Sequence, residues 1–180
     1  MIKNVIGFVH DILENTIMEE DIVIDATCGN GNDTRLLAEL ADYVYAFDIQ
    51  DQAIKTTKKI LLDNQFDNVK LIQDSHENIE KYVKKKVKAV TFNLGYLPGS
   101  DKQVVTTAAS TIKGLKASLN LLDEDGIITI ILYVGHPGGK EESVKVESFV
   151  KELEKGKYNV VKYDYINREL SPYVIVIQKQ

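Results

Sequence analysis

The sequence predicts a doubly wound α/β fold with a mostly parallel sheet of seven strands, one of which runs antiparallel. Short apolar runs rich in β-branched residues alternate with segments of helical periodicity along nearly the whole chain. Such alternation is typical of parallel sheets whose right-handed crossovers place helices on both faces. Only a short connection, residues 167–172, separates the last two apolar runs, so we expect these two strands to pair antiparallel.

The elements follow from the pattern in chain order. Residues 1–15 carry apolar side chains at helical spacing and predict an amphipathic helix that lies on the domain. The run DIVIDA predicts a buried first strand, and six further runs resemble it. The predicted strands are 21–26, 43–47, 69–73, 87–92, 126–133, 158–166 and 173–178. The predicted helices between them are 34–40, 50–63, 75–82, 104–121 and 141–153.

Composition narrows the class of protein. The 180 residues are 44% hydrophobic and 27% charged, which favours one globular domain spanning 1–180. The net charge of −5 argues against a basic nucleic-acid coat protein, so any RNA must be bound by a local basic patch. The one cysteine excludes an intrachain disulfide and a cysteine-based zinc site, and we expect no metal. Without a long apolar run or a signal-peptide pattern, a cytoplasmic protein with no membrane partner is expected.

Ligands of open α/β sheets bind at the carboxyl ends of the strands, so the residues that follow each strand are the candidates. The first strand ends at Asp25 and is followed by Gly29 and Gly31, which allow a close backbone approach. A dinucleotide fingerprint would need a third glycine where Thr34 stands. Asp48, after the second strand, is placed either to accept hydrogen bonds from ribose hydroxyls or to cap the next helix.

The loops after the later strands carry further polar residues. Asp74 or Ser75 could bind an adenine amine or cap a short helix. The loop that begins at Asn93 is rich in glycine and proline, and its Tyr96 offers a ring on which a base can stack. An asparagine carbonyl at this edge can hold an amine by its N–H groups. His136 lies among glycines after the fifth strand and is either a catalytic group or a loop-structuring residue.

Together these loops resemble those of class I S-adenosylmethionine-dependent methyltransferases, which have a Rossmann-like sheet. A closer resemblance, over nearly the whole chain, is to a bacterial family long described as rRNA methylases and now understood as tRNA wobble-uridine methyltransferases. Three motifs carry it: DATCGNGNDT at 25–34, NLGYLPGSDK at 93–102 and GHPGGKEE at 135–142. Two residues depart from the family pattern. The family usually has glycine where Ser100 stands and often has proline where Val134 stands.

The resemblance implies S-adenosylmethionine as cofactor and the conversion of 5-aminomethyl-2-thiouridine to 5-methylaminomethyl-2-thiouridine. The implied cofactor-binding residues are Asp25, Gly29, Asn30, Gly31, Asn32, Asp48, Gln50, Asp74, Ser75, His76 and Asn93. The residues expected to face the reacting groups are Asn93, Tyr96 and His136. Leu94 and Gly95 are expected to contact the substrate, and Lys102, Lys140 and Arg168 are candidates to bind a tRNA anticodon stem-loop.

Other interpretations share parts of this pattern. A methyltransferase of ribosomal RNA or of a small amine would use the same cofactor pocket, and the acidic net charge favours a small acceptor. A non-catalytic nucleotide-binding module is disfavoured by the intact Asn93–Tyr96 loop, and an NAD-dependent oxidoreductase by Thr34. A homodimer is left open, since no surface in the sequence identifies an interface.

Overall fold

Strands and helices alternate along the residues that the computed structural model describes, 1–95 and 106–180. The strands are β1 (Ile22–Asp25), β2 (Tyr43–Asp48), β3 (Val69–Gln73), β4 (Val87–Asn93), β5 (Leu122–Leu132), β6 (Tyr158–Tyr163) and β7 (Tyr173–Lys179). The helices are α1 (Val5–Thr16), α2 (Asn32–Leu40), α3 (Asp51–Asp63), α4 (Ile79–Tyr82), α5 (Ala108–Leu121) and α6 (Gly139–Lys151), with a 3-10 turn at His76–Asn78.

The strands form one sheet in the order β3-β2-β1-β4-β5-β7-β6. The first five strands in this sheet order, β3, β2, β1, β4 and β5, are parallel to one another. Strand β7 is antiparallel to both of its neighbours, β5 and β6. The predicted fold, seven strands with one antiparallel, is therefore confirmed. The strand order reverses between β1 and β4, so the loops after these two strands diverge and leave a crevice, the usual ligand site of such sheets.

Some boundaries differ from the predicted ones for local reasons. Helix α1 begins at Val5 because the Asn4 side chain accepts a hydrogen bond from the Gly7 amide and caps it. Helix α5 begins at Ala108, after Thr107 and Ser110 form a reciprocal capping box. The predicted start of this helix at residue 104 lies outside the described residues.

Strand β5 begins four residues earlier than predicted. Leu122 pairs with Val87, and the register then shifts before the regular pairing that starts at Ala89. Asp125 has a positive φ of 56°, so the backbone between the two paired parts is irregular. The exposed acidic residues 123–125 also interrupt the apolar run, which is why the sequence indicated only the regular part of the strand.

The core has two halves, one on each face of the sheet. Phe47, Phe92 and Leu115 are fully buried in one half, beside helices α5 and α6. The other half packs α1 and α2 against the sheet, with Val9 and Leu13 of α1 completely buried. Burying one such side chain contributes about 1.5–3 kcal/mol. The predicted amphipathic helix is thus fixed by the core, and this packing sets where its polar side chains point.

We expect Leu13→Ala to lower the free energy of unfolding by about 2–5 kcal/mol, because a fully buried leucine is removed and a cavity is left. Leu62→Ala is the matched control: Leu62 is 67% exposed on α3, and a change within about 0.5 kcal/mol is expected. Urea denaturation followed by circular dichroism measures both. Equal effects of the two substitutions would show that α1 is not part of the core.

Candidate active site

The turn after β1 needs its glycines. Gly29 and Gly31 have positive φ values of 50° and 82°, and Gly31 precedes the first residue of α2. A Cβ atom on Gly31 would lie 3.0 Å from the Thr57 hydroxyl oxygen and 3.1 Å from the Thr57 Cα. The backbone therefore turns tightly against α3 and presents the amides of the turn toward the sheet edge.

Asp25 holds this turn in place. Its carboxylate is fully buried and accepts hydrogen bonds from the Thr34 hydroxyl at 2.5 Å and from the Thr27 amide at 3.1 Å. Burial, and then the nearby Asp33 carboxylate, raise the pKa of Asp25 well above its usual range. Thr34, which replaces the third glycine of a dinucleotide fingerprint, is thus the partner of a buried acid. Asp25 is not among the residues that line the ligand cavity, and its expected contact with the cofactor stays a prediction.

Asp48 joins two loops at the end of β2. One carboxylate oxygen accepts a hydrogen bond from the Gly29 amide at 3.0 Å, and the other accepts from the Gln50 amide at 2.9 Å. Burial raises the pKa of Asp48, and these two bonds oppose the rise. Helix α3 begins at Asp51 with Gln50 as its N-cap, so the alternative role of Asp48 as helix cap is wrong. Each oxygen keeps a lone pair for a further donor, such as a hydroxyl of a diol.

The residues after β3 form a third part of the site. The Asp74 carboxylate accepts hydrogen bonds from the Tyr82 hydroxyl, the Asn78 side chain and the Ser75 amide, and the Tyr82 bond is the main cause of its lowered pKa. The Ser75 hydroxyl caps the 3-10 turn by accepting from the Glu77 amide. The capping alternative therefore holds for Ser75 and not for Asp74, and both residues also line the cavity.

His76 lies deeper and is 7% exposed. Burial lowers its pKa to about 4, so the imidazole is neutral at physiological pH. Its ring packs edge-to-face on Phe92, and a Cβ on Gly114 would lie 2.9 Å from its Cδ2 atom. Glycine at 114 is what leaves room for the ring. The Nε2 atom of His76 finds no hydrogen-bond partner within residues 1–95 and 106–180, so a ligand donor could satisfy it.

These loops enclose one cavity of about 410 Å³, a volume within the range of cofactor sites. Eleven of the predicted site residues line it: Gly29, Asn30, Asn32, Asp48, Gln50, Asp74, Ser75, His76, Asn93, Leu94 and Gly95. The sequence analysis missed other lining residues, among them Ile6, His10, Thr27, Asp33, Thr106, Ser110 and Tyr133. Gly31, His136, Lys140 and Arg168 are not on its wall, and Tyr96 and Lys102 lie outside the described residues.

Asn93 connects the loop after β4 with the loop after β1. Its backbone N–H donates to the Thr27 hydroxyl oxygen at 2.7 Å. Its side-chain Nδ2 donates to the Asp33 carboxylate at 3.2 Å. The other Asp33 oxygen lies 2.9 Å from Nε2 of His10. A carboxylate can only accept, so the Asn93 amide must turn its nitrogen toward Asp33. Its carbonyl oxygen is then the atom that remains for a ligand.

Gly95 and Thr106, which flank residues 96–105 in the chain, are hydrogen-bonded to each other. The Gly95 amide donates to the Thr106 hydroxyl oxygen, and the Thr106 amide donates to the Gly95 carbonyl, both at 3.0 Å. The Thr106 hydroxyl donates onward to Glu142 of α6, a buried carboxylate that also accepts from Thr111. The second glutamate of the GHPGGKEE motif therefore anchors the loop after β4.

His136 packs behind this loop. Its Nε2 atom would lie 3.7 Å from a Cβ placed on Gly95 and 2.8 Å from one placed on Gly139, and its Nδ1 is 2.9 Å from the Pro137 carbonyl oxygen. This geometry fits the loop-structuring alternative, and a catalytic role for His136 stays a prediction. Lys140 is exposed at the start of α6, and Arg168 is exposed with its guanidinium 4.6 Å from the Tyr165 ring centre.

The comparisons with known proteins agree with this geometry. A family model described as "Putative rRNA methylase" matches residues 44–179. The chain belongs to this family. It is therefore an S-adenosylmethionine-dependent methyltransferase. A curated relative, the chloroplastic tRNA (mnm(5)s(2)U34)-methyltransferase of Arabidopsis thaliana, is 37% identical over 185 residues, which cover 95% of this chain and 68% of that protein.

Solved structures show the same fold over the whole chain. A protein of Clostridium thermocellum described as a "putative rRNA-methylase" superposes with a TM-score of 0.98 at 44% identity, covering all of both chains. A methyltransferase of Streptococcus mutans, solved in complex with SAH, superposes with a TM-score of 0.95 at 40% identity, again over all of both chains. The polar groups that line the cavity suit such a cofactor, since Asp48 offers paired acceptors for a diol and His76 a neutral acceptor for an amine.

Two further observations concern the described residues only. Within residues 1–95 and 106–180, no group of three or more His, Cys, Asp or Glu side chains is arranged to hold a metal ion. No helix in the same part of the chain combines the length and the apolar character needed to span a bilayer.

Asp48→Asn is expected to weaken S-adenosylmethionine binding about 10- to 100-fold, because one charged acceptor is lost and the new amide N–H opposes a backbone N–H. Isothermal titration calorimetry measures this dissociation constant. Asp63→Asn, on the exposed end of α3, makes the same chemical change away from the cavity and should leave affinity unaltered. Equal affinities for the two variants would remove Asp48 from the cofactor site.

Proposed function

We propose that this methyltransferase acts on the wobble uridine of tRNA and converts its 5-aminomethyl-2-thio form to the 5-methylaminomethyl-2-thio form. The observation that carries the proposal is the Asn93 amide, whose contact with Asp33 leaves a carbonyl oxygen for an acceptor amine. The chloroplastic relative, named for the mnm(5)s(2)U34 nucleoside of tRNA, supports the choice of acceptor.

The reaction asks little covalent chemistry of the protein. Bound S-adenosylmethionine supplies a methyl group that is already activated by its sulfonium. The chain must hold the amine nitrogen in line with that methyl group, and positioning of this kind can contribute about 7–11 kcal/mol. Asp48 and the Gly29 turn fix one end of the cavity, while Asn93 lies at the end of β4. These two loops are joined through Thr27, so their spacing is fixed by the fold.

The acceptor must react as a free amine. An alkylamine with a pKa near 10 is neutral in only about one part in a thousand at pH 7, which costs roughly 4 kcal/mol. A desolvated cavity and a neighbouring sulfonium both lower that pKa. Asparagine at position 93 fits this need, because an amide oxygen accepts an N–H without adding a negative charge that would hold the ammonium form.

Contact with tRNA must come from the rim of the cavity, since the chain carries a net charge of −5. Lys140 follows Gly139, whose missing Cβ lets the backbone pack against the carbonyl of Tyr133, a cavity residue. The loop after β5 also contacts the turn that contains Arg168, since Gly135 of this loop lies beside the carbonyl of Leu170. The sequence adds Tyr96 and Lys102. A wobble base in a single-stranded loop can be turned out and stacked on such a ring.

The deciding assay incubates the protein with methyl-labelled S-adenosylmethionine and bulk tRNA that lacks the modification, followed by digestion to nucleosides and mass spectrometry. The expected product is labelled 5-methylaminomethyl-2-thiouridine. Label in ribosomal RNA or in a small amine, with none in tRNA, would reject the tRNA acceptor and favour the alternative that the acidic charge allows.

Asn93→Ala is expected to lower the turnover number about 100-fold, because the amine loses the acceptor that aims its lone pair. The affinity for S-adenosylmethionine should stay within about threefold of the parent. Single-turnover kinetics and calorimetry measure the two quantities. Asn159→Ala on exposed β6 is the control for the same truncation. A large loss of cofactor affinity with turnover preserved would assign Asn93 to the cofactor alone.

Lys140→Ala and Arg168→Ala are each expected to weaken tRNA binding and to reduce the slope of log affinity against log salt by about 1. Cofactor affinity should not change, since neither side chain lines the cavity. Filter binding over a salt series gives the slopes, and Lys58→Ala on exposed α3 is a charge-matched control. Slopes equal to that of the control would show that the tRNA lies elsewhere.

A further inference from the structure

A chain of hydrogen-bonded polar side chains crosses the wall of the cavity beside the loop that follows β4. Asn93 at the end of β4 donates to one oxygen of Asp33 at 3.2 Å, and the other oxygen is 2.9 Å from Nε2 of His10. All three side chains line the cavity. They come from β4, α2 and α1, so three separate elements of the fold bring them together.

The core determines where His10 lies. It stands between the buried Val9 and Leu13 on α1, one helical turn after Ile6, which also lines the cavity. The Asp33 side chain is 10% exposed, whereas the His10 side chain is 30% exposed. The pair therefore has one member inside the site and one that touches solvent, which is the arrangement a group needs to pass a proton out.

The charges that face His10 come from two helices. Asp33 lies on α2, and Asp11 and Glu14 lie on α1 itself; all three raise the His10 pKa, with the Asp33 hydrogen bond as the largest cause and burial opposing it. The carboxylate of Asp33 also fixes the tautomer. It requires a proton on Nε2, so the neutral ring carries its lone pair on Nδ1.

We propose that His10 accepts the proton that the acceptor amine must lose, and that the negative charge of Asp33 stabilises the imidazolium that results. This inference rests on the proposed amine acceptor. Asp33 in contact with both His10 and Asn93 is what places the base beside the amine site. Asp33 acts through His10 and is a positioning residue, while His10 is the group that takes the proton.

The steps balance without another reactant. An N–H bond of the ammonium breaks, its electron pair stays on nitrogen, and the proton moves through water to Nδ1 of His10, because Nε2 is held by Asp33. The amine nitrogen then forms a bond to the methyl carbon, while the carbon–sulfur bond breaks and its electron pair stays on sulfur. The product leaves as a secondary ammonium. The imidazolium gives its proton to solvent, so one proton is released for each methyl group transferred.

The test is the pH dependence of methyl transfer to 5-aminomethyl-containing tRNA at saturating cofactor, for the parent chain, His10→Gln and Asp33→Asn. The parent rate should rise with pH through a pKa above 6.5. His10→Gln should lose this inflection, fall about 100-fold at pH 7 and recover toward the parent above pH 9, where more of the amine is free. Cofactor affinity should stay within about threefold, and Asn15→Gln, exposed on the same helix, is the control.

A loss of rate that is equal at every pH would mean a structural role and would overturn the inference, as would an unchanged profile. A parent chain that methylates no aminomethyl nucleoside would overturn the proposed function as well, and the parent reaction alone reveals that case. Imidazole NMR titration tests the pair without turnover: Asp33→Asn should lower the His10 pKa relative to the parent. An unchanged titration would show that Asp33 does not control His10.

Discussion

The buried carboxylate of Asp25 is the interaction on which the rest of the site depends. It fixes Thr34 in the first turn of α2 and the Thr27 amide in the preceding loop. The Thr27 hydroxyl in turn accepts a hydrogen bond from the backbone N–H of Asn93, the last residue of the neighbouring strand β4. An unsatisfied buried polar group costs about 1–3 kcal/mol, so this connected set resists rearrangement. The loop after β1 and the loop after β4 are thereby joined by hydrogen bonds.

The cavity is adapted to positive charge. Asp33 and Asp48 line it and Asp25 lies beneath it, while the described part of its wall contains no lysine or arginine. A sulfonium suits such a wall, and phosphate groups do not. In the proposed reaction the RNA backbone therefore stays at the rim, where Lys140 and Arg168 are exposed, and only the modified base enters. In the proposed reaction, this division lets a chain of net charge −5 act on a polyanion.

The sequence was sufficient for the fold and for most of the site, for a definite reason. Parallel strands end at one edge of a sheet, so Asp48, His76 and Asn93 could be placed together from their positions after three strands. The rule does not say which way a side chain points. Asp25 ends β1 but points into the protein, and the lining position is taken by Thr27 two residues later. His136 also follows a strand, yet its ring packs behind Gly95.

His10 could not have been found in this way, because α1 precedes the first strand and has no place in the edge rule. Only the packing of Val9 and Leu13 determines which face of that helix meets the cavity.

A crystal structure with SAH and an anticodon stem-loop carrying 5-aminomethyl-2-thiouridine tests the whole account most directly. We expect the amine nitrogen about 3–3.5 Å from the position of the transferred methyl group, bonded to the Asn93 carbonyl oxygen and beside the His10–Asp33 pair. An amine bound away from Asn93 and Asp33 would contradict the account.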